Sequence, residues 1–245
     1  MRSSSLLVSV LIGAAVFAEV PREGCVLWLE ADTLSASHKS GDAVTVWKAV
    51  IGPQAVRTPM KLVNNQSATA PVFIADAVNG SPAVRFDGSN TQLSVLGNVI
   101  SNLAGTPFSI FMISRSTNST FGICGNSSIG GGGVPRFYVQ RHGMFFSEMK
   151  YFIMVNTITD AAELLGIQHD GANTLTSYKN GILSKTLIAA IVPAYGGDGN
   201  ISIPFWPANQ PQPGDIALIL IYNRYLSEAE RTEVERIFTA KYKIR

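Results

Sequence analysis

Residues Gly214 to Tyr242, GDIALILIYNRYLSEAERTEVERIFTAKY, join an unbroken apolar run to an amphipathic segment. Ile216 to Tyr222 shows no alternation and is too short for a free-standing helix, which is the pattern of a strand covered on both faces. Ser227 then opens a helix. With Glu230 three residues on it forms a capping box, in which each side chain accepts from a backbone N–H that the first turn leaves unpaired. Val234, Ile237, Phe238 and Tyr242 share one face of the predicted helix, Ser227 to Lys243, so this stripe should pack on the sheet near its closing strand.

Upstream, short β-favouring runs recur between turn signals, with almost no helical periodicity before the last twenty or so residues, the rhythm of an all-β chain. Val44 to Trp47 alternates; Ala83 to Phe86 follows an Asn79-Gly80 turn; Phe108 to Ile113 and Tyr151 to Val155 read as core strands. Leu175 to Tyr178 and Ile182 to Lys185 flank Asn180-Gly181, and both turn residues tolerate the positive φ that a type I′ hairpin demands. A doubly wound α/β fold needs helices between such strands, and the sequence offers none there. The glycine run Gly130 to Gly133 and the proline-rich Ile203 to Asp215 read as loops with strand-like sequence on both sides, so one domain is the simplest account of residues 19–245.

Met1 and Arg2 lead into an uncharged apolar stretch, Leu6 to Ala18, shorter than the roughly 20 residues a membrane-spanning helix needs and ending in small residues. This is the pattern of a secretory signal peptide. Cleavage after Ala18 removes 18 of 245 residues and leaves 227, beginning at Glu19, and no later segment is apolar enough to span a bilayer. Lys plus Arg number 19 against 17 Asp plus Glu, and no basic run supplies a phosphate-neutralising stripe, which argues against nucleic acid as a partner. Cys25 and Cys124 lie in strand-like runs of a chain expected in an oxidising compartment; they either bridge or stand as two separate buried thiols. No Cys/His zinc pattern is present.

Four segments resemble the laminin-G-like jelly rolls of the concanavalin A-like lectin and glucanase superfamily, in their bacterial secreted and surface form. They are Val26 to Ala31 with Val44 to Trp47; Asn79 to Gly88; Asp170-Gly171 ahead of Tyr178 to Gly181; and Gly214 to Ala217 continuing through Tyr222 to Arg231. One position departs from that pattern: Leu218 stands where the family often carries an acidic residue. The resemblance implies an all-β, two-sheet antiparallel jelly-roll sandwich with a C-terminal amphipathic helix, its final strand returning beside the first. Function does not follow from such a fold and has to be argued from a site.

For catalysis, a paired-carboxylate glycosidase of this fold sets two acids about 5 Å apart on one strand face. The nearest approach, Glu30-Ala31-Asp32-Thr33-Leu34-Ser35, lacks the last acid of the Glu-x-Asp-x-x-Glu spacing and reads as a polar strand end and turn. No G-x-S-x-G elbow occurs, and His38, His142 and His169 have no metal-ligand spacing. A polysaccharide hydrolase or lyase is therefore the secondary reading. For binding, the loop around Trp206 offers an aromatic ring with Asn209 and Gln210 nearby, and prolines that stiffen it, with Tyr195 as a further aromatic candidate. The plainer reading tucks the Trp206 ring onto a sheet edge, while Trp28 and Trp47, set among Val and Leu, read as core. Calcium accompanies the superfamily, and Asp198 with Asn200 in the turn Tyr195 to Asn200 supplies two oxygen ligands of the six to eight such an ion takes. The sequence thus points to a secreted, non-catalytic module for carbohydrate or another extracellular surface ligand, with a cell-envelope structural or adhesion module without a small ligand as the third reading.

Overall fold

A computed structural model describes residues 19–52, 56–57, 67–95, 99, 106–118, 121–126, 137–141, 143–146, 150–153, 159–188, 201–204 and 213–245. Among them lie fifteen strands: β1 (Cys25–Glu30), β2 (Val56–Arg57), β3 (Val72–Val78), β4 (Ser81–Asp87), β5 (Leu93–Val95), β6 (Phe108–Arg115), β7 (Gly122–Asn126), β8 (Phe137–Gln140), β9 (Gly143–Phe146), β10 (Lys150–Ile153), β11 (Glu163–His169), β12 (Thr174–Lys179), β13 (Ile182–Ile188), β14 (Ile201–Ile203) and β15 (Pro213–Tyr222). A short 3-10 helix, Ala31–Leu34, follows β1, and α1 (Glu228–Lys241) follows β15.

The strands form two antiparallel sheets. The larger runs β13-β12-β11-β6-β15-β4-β3, with β1 also paired to β15; the smaller runs β10-β9-β8-β7-β14-β5-β2. One side of β15 pairs with β6 from Asp215↔Arg115 to Tyr222↔Ser109, and two strands share its other side. There β4 takes Pro213 to Ile216, and β1 takes Leu218 to Tyr222. The last strand thus lies against the first.

The unbroken apolar run in β15 reflects two separate cores. Ile216, Ile219 and Ile221 join Leu27, Leu29, Ile110, Met112 and Ile167 against Val56, Leu93, Val95, Val139, Ile201 and Ile203 of the smaller sheet. Ala217, Leu218, Leu220 and Tyr222 face the opposite way, joining Trp28, Phe111, Ile113 and Leu164 beneath Val234, Phe238 and Tyr242 of α1. A shift in the β15–β6 register between Ile216 and Leu218 lets Ala217 and Leu218 point to the same side, as a bulge does. Trp28 meets Phe238 edge to face, centroids 6.1 Å apart. Full burial of each such side chain is worth about 1.5–3 kcal/mol, so the stripe on α1 is what holds the helix to the sheet.

Both Asn-Gly turns form as their residues require. Asn79 (φ 52°) and Gly80 (φ 81°) connect β3 to β4, and Asn180 (φ 53°) and Gly181 (φ 83°) connect β12 to β13. Asn79 Nδ2 donates to the carbonyls of Tyr242 (3.0 Å) and Lys243 (3.1 Å), and Asn180 Nδ2 to that of Arg245 (2.7 Å), so the two turns also tie down the end of the chain.

Val44 to Trp47 does not form a strand. Its backbone finds partners one at a time, Val44 N with Pro71 O at 2.7 Å and Trp47 N with Val56 O at 2.9 Å, while isolated bridges join Ala43 to Val72 and Val46 to Arg57. Burial of Val44 and Trp47 satisfies the apolar pattern without a ladder. Trp28 and Trp47 are core residues, as expected, and α1 ends at Lys241, two residues before the predicted Lys243.

Candidate functional site

The connection from β15 to α1 is fastened on both sides. Ser227 Oγ accepts from Glu230 N at 3.3 Å, and Glu230 Oε2 accepts from Ser227 N at 2.9 Å, completing the capping box. Arg224 donates to the same carboxylate at 3.0 and 2.7 Å and, with the Ser227 bonds, pushes its pKa down to about 2. Beneath the loop, buried Ser109 acts as a hub: its Oγ donates to Arg224 O (3.0 Å) and accepts from Leu226 N (3.0 Å) and Gln168 Nε2 (3.0 Å). Gln168 Nε2 also donates to Leu226 O at 3.0 Å. Tyr225 therefore projects from a loop whose residues on either side, Arg224 and Leu226, are both anchored, and its side chain stays exposed.

One turn into α1, the Arg231 guanidinium lies 3.9 Å from the centroid of the Tyr178 ring on β12. Arg231 is buried and paired with buried Glu235, four residues on. Burial pushes the Glu235 carboxyl up to about 7, although Arg231 pulls the other way. Its Oε1 has no hydrogen-bond partner among the described residues and sits over Gly166 of β11, where a methyl group would come within 3.1 Å of it. The direct contact with Glu235 thus helps keep Arg231 over Tyr178.

Between Tyr225, the helix start and the β12–β13 hairpin lies a groove of about 410 Å³. Tyr178, Leu183, Tyr225, Glu228 and Arg231 line it, over Gln168 and Gly181. The volume falls in the range of small-ligand sites, and the lining combines aromatic rings with a few fixed polar groups, the chemistry that takes the C–H face and the hydroxyls of a sugar. A second hollow, about 530 Å³, is bordered by Asn79, Glu163, Lys179, Asn180, Lys243 and Arg245. Its carboxylate is already satisfied: Glu163 binds Lys179 Nζ (2.7 Å), Arg141 Nη2 (3.1 Å) and Thr159 Oγ1 (3.0 Å), a tie between β8–β9, β11 and β12.

The residues singled out from sequence fall in several places. Trp206, Asn209, Gln210 and Tyr195, with the calcium candidates Asp198 and Asn200, lie outside the described residues, as does His142. Among the described residues no three His, Cys, Asp or Glu side chains gather as a metal site, and no helix is long and apolar enough to cross a membrane. Cys25, in β1, is a free thiol that donates to Leu27 O at 3.6 Å, and burial pushes its pKa up to about 12. Cys124 belongs to β7 of the other sheet, and its side chain lies outside the described set.

Glu30 and Asp32 belong to the seam between β1 and α1. Glu30 accepts from Trp28 Nε1 (3.3 Å) and Tyr242 Oη (3.2 Å), and Lys241 Nζ bridges it (2.6 Å) to Asp32 (2.9 Å). His38 bonds Ser37 at the surface, and His169 stacks on Phe108 in the interior. The groove residues Tyr178, Tyr225 and Arg231 drew no functional reading from the sequence. The one sequence signal for them is the Arg231–Glu235 spacing on the otherwise apolar face of α1.

No protein-family model and no curated protein sequence matches the chain. Its fold is similar to domain 4 of AbnA, a GH43 extracellular arabinanase from Geobacillus stearothermophilus, solved in complex with arabinotriose. The TM-score is 0.59 at 14% identity, over 87% of this chain and 100% of that domain. It is also similar to the binding domain of Paraclostridial Mosquitocidal Protein 1 (TM-score 0.59, 14% identity, 89% of this chain and 52% of that one). The botulinum neurotoxin serotype D binding domain gives a TM-score of 0.56 at 11% identity, over 88% of this chain and 51% of that one. The chain thus spans about half the length of these two toxin binding domains, and at such identities the likeness is one of fold, a β-sandwich.

Proposed function

We propose that this chain is an exported, non-catalytic carbohydrate-binding module built on a laminin-G-like jelly roll of the concanavalin A-like superfamily, with the α1–hairpin groove as its ligand site. The observation that carries the reading is the exposed Tyr225 ring, on a loop whose backbone the Ser109–Gln168 network fastens, beside the Tyr178–Arg231 stack. A platform fixed before the ligand arrives loses little entropy on binding. The arabinanase domain supports it: that domain is matched over its whole length and was solved with a bound arabinotriose. The loop carrying Trp206, Asn209 and Gln210, with Tyr195, is the alternative seat for the same kind of ligand.

A polysaccharide and glycan array probed with wild-type protein, Tyr225→Ala and Trp206→Ala tests this. Loss of the hits in Tyr225→Ala alone supports the groove, and loss in Trp206→Ala alone moves the ligand to that loop. A blank array with folded wild-type protein rejects the carbohydrate reading. Export is part of the proposal. Glu19 would become the first residue, next to Val20, which packs in the core beneath α1, and Pro21, whose carbonyl accepts from Tyr222 Oη at 2.8 Å. N-terminal sequencing of protein recovered from outside the cytoplasm should begin at Glu19; an intact Met1 would contradict export by this route.

A further inference from the structure

The outer face of the β12–β13 hairpin continues beyond the groove. Register puts Tyr178 opposite Leu183, Thr176 opposite Thr186 and Thr174 opposite Ile188, and directly opposed residues of an antiparallel pair share a face. Tyr178 lies under Arg231, so this row is on the α1 side, whereas the intervening pair Leu175 and Leu187 packs in the core between the sheets. Arg231 of α1 covers the Tyr178 end, and Thr176 in the middle of the row is buried. On the β13 side Leu183 is 59% and Ile188 79% exposed, among the most exposed large apolar side chains described. From Tyr178 to Thr174 the row extends about 13 Å at the usual rise per strand residue.

The row contains three threonines, a tyrosine, a leucine and an isoleucine, none of them charged at neutral pH. Where it meets the groove, Arg231 is tied to Glu235 and faces a lining that also carries the Glu228 carboxylate. We propose that the groove is one end of a longer cleft that takes a neutral, linear polysaccharide chain, laid from Tyr225 across β12 and β13 to Ile188. This rests on the saccharide reading of the groove and adds the ligand's length and charge class. Thr176 is buried, but the exposed Thr186 and half-buried Thr174 hydroxyls can donate to and accept from sugar hydroxyls, while Leu183 and Ile188 offer apolar surface to ring C–H groups. A row without cations gives no compensation to the carboxylates or sulfates of an acidic glycan, which would lose their hydration there.

Isothermal titration with cello-, xylo- and arabino-oligosaccharides of two and six units, and a hexameric oligogalacturonide as the acidic control, tests the proposal. In the series that binds, the hexamer should bind at least tenfold tighter than the dimer, and the oligogalacturonide at least tenfold more weakly than the neutral hexamer. Ile188→Asp should shrink the hexamer-to-dimer ratio below threefold, and the milder Thr186→Ala should lower it in the same direction. Equal affinities for dimer and hexamer overturn the extended cleft but leave the groove standing; tighter binding of the acidic hexamer overturns the neutral class. Failure of every oligosaccharide to bind, or binding indifferent to Tyr225→Ala, removes the groove reading and this inference with it. Light scattering covers the competing occupant: a dimer of the wild-type protein that Ile188→Asp dissociates assigns the face to a second copy of the chain and overturns the proposal.

Discussion

Ser109→Ala should destabilise the protein far more than the loss of one hydroxyl suggests. In the folded chain this side chain makes three hydrogen bonds, to Arg224 O, Leu226 N and Gln168 Nε2, from a position with no solvent exposure. Alanine leaves the amide side chain of Gln168 still bonded to Leu226 O, but strands the Leu226 N–H and removes a donor from Arg224 O. A buried group left unpaired costs about 1–3 kcal/mol, and the lost bond to Arg224 adds about 1, so the expected loss is about 2–4 kcal/mol. Urea unfolding followed by tryptophan fluorescence, with the slope compared to wild type, reads it as a shift of the midpoint at constant slope. Because the same hub fixes the loop bearing Tyr225, the variant should also lose saccharide affinity. Gln168→Leu should couple to it: the double variant should cost less than the two single losses together, since both act through one network. A loss under about 0.5 kcal/mol for Ser109→Ala, or strict additivity, would refute the network as the loop's anchor.

Stability should depend on pH in two adjoining windows. Glu235, raised from 4.5 to about 7, holds a proton in the folded state that the unfolded chain has released, so stability falls as pH rises from 4.5 to 7. Glu230, lowered from 4.5 to about 2, contributes stability above 4.5 that is lost as pH falls toward 2. Urea midpoints measured across pH 2–8 should peak between these windows, and Glu235→Gln should flatten the upper slope; an unchanged upper slope in that variant contradicts the burial of this carboxyl. Gly214→Ala should lose about 1–3 kcal/mol, because its methyl would come within 2.6 Å of the Phe121 ring, and an unchanged thermal midpoint would show that the ring can move aside. Asn180→Ala puts a residue that disfavours left-handed backbone at φ 53° and removes bonds to Leu164 N and Arg245 O. It should cost about 1–3 kcal/mol by thermal unfolding and speed hydrogen exchange at the Leu164 amide, and an unaltered exchange rate there would count against the tie.

Much of the sandwich was legible because its signals are local. The Ser227–Glu230 box and the two Asn-Gly turns each depend on a few consecutive residues and stand where the sequence placed them, whereas β15 starts at Pro213 and β14 ends at Ile203, so both ends of the stretch read as the loop Ile203 to Asp215 are strand. Val44 to Trp47 misled because an alternating apolar pattern reports burial, and burial here is reached through scattered backbone bonds instead of a ladder. The groove was illegible for a different reason. Tyr178 and Tyr225 are 47 positions apart and meet only because β12 and the β15–α1 loop lie on one face of the larger sheet. Arg231 and Glu235 looked like an ordinary polar pair on a helix, and only the packing of α1 over Gly166 reveals them as buried. The aromatic loop at Trp206, by contrast, announces itself in sequence and lies outside the described residues.

The central claim is that a sugar ring rests on Tyr225. Titration of the saccharide that binds the wild-type protein into Tyr225→Ala, with folding checked by unfolding midpoint, tests it most directly. Removal of a central aromatic contact typically costs at least about 2 kcal/mol, so the account predicts a loss of affinity of about thirtyfold. Wild-type affinity in a folded Tyr225→Ala protein would contradict it.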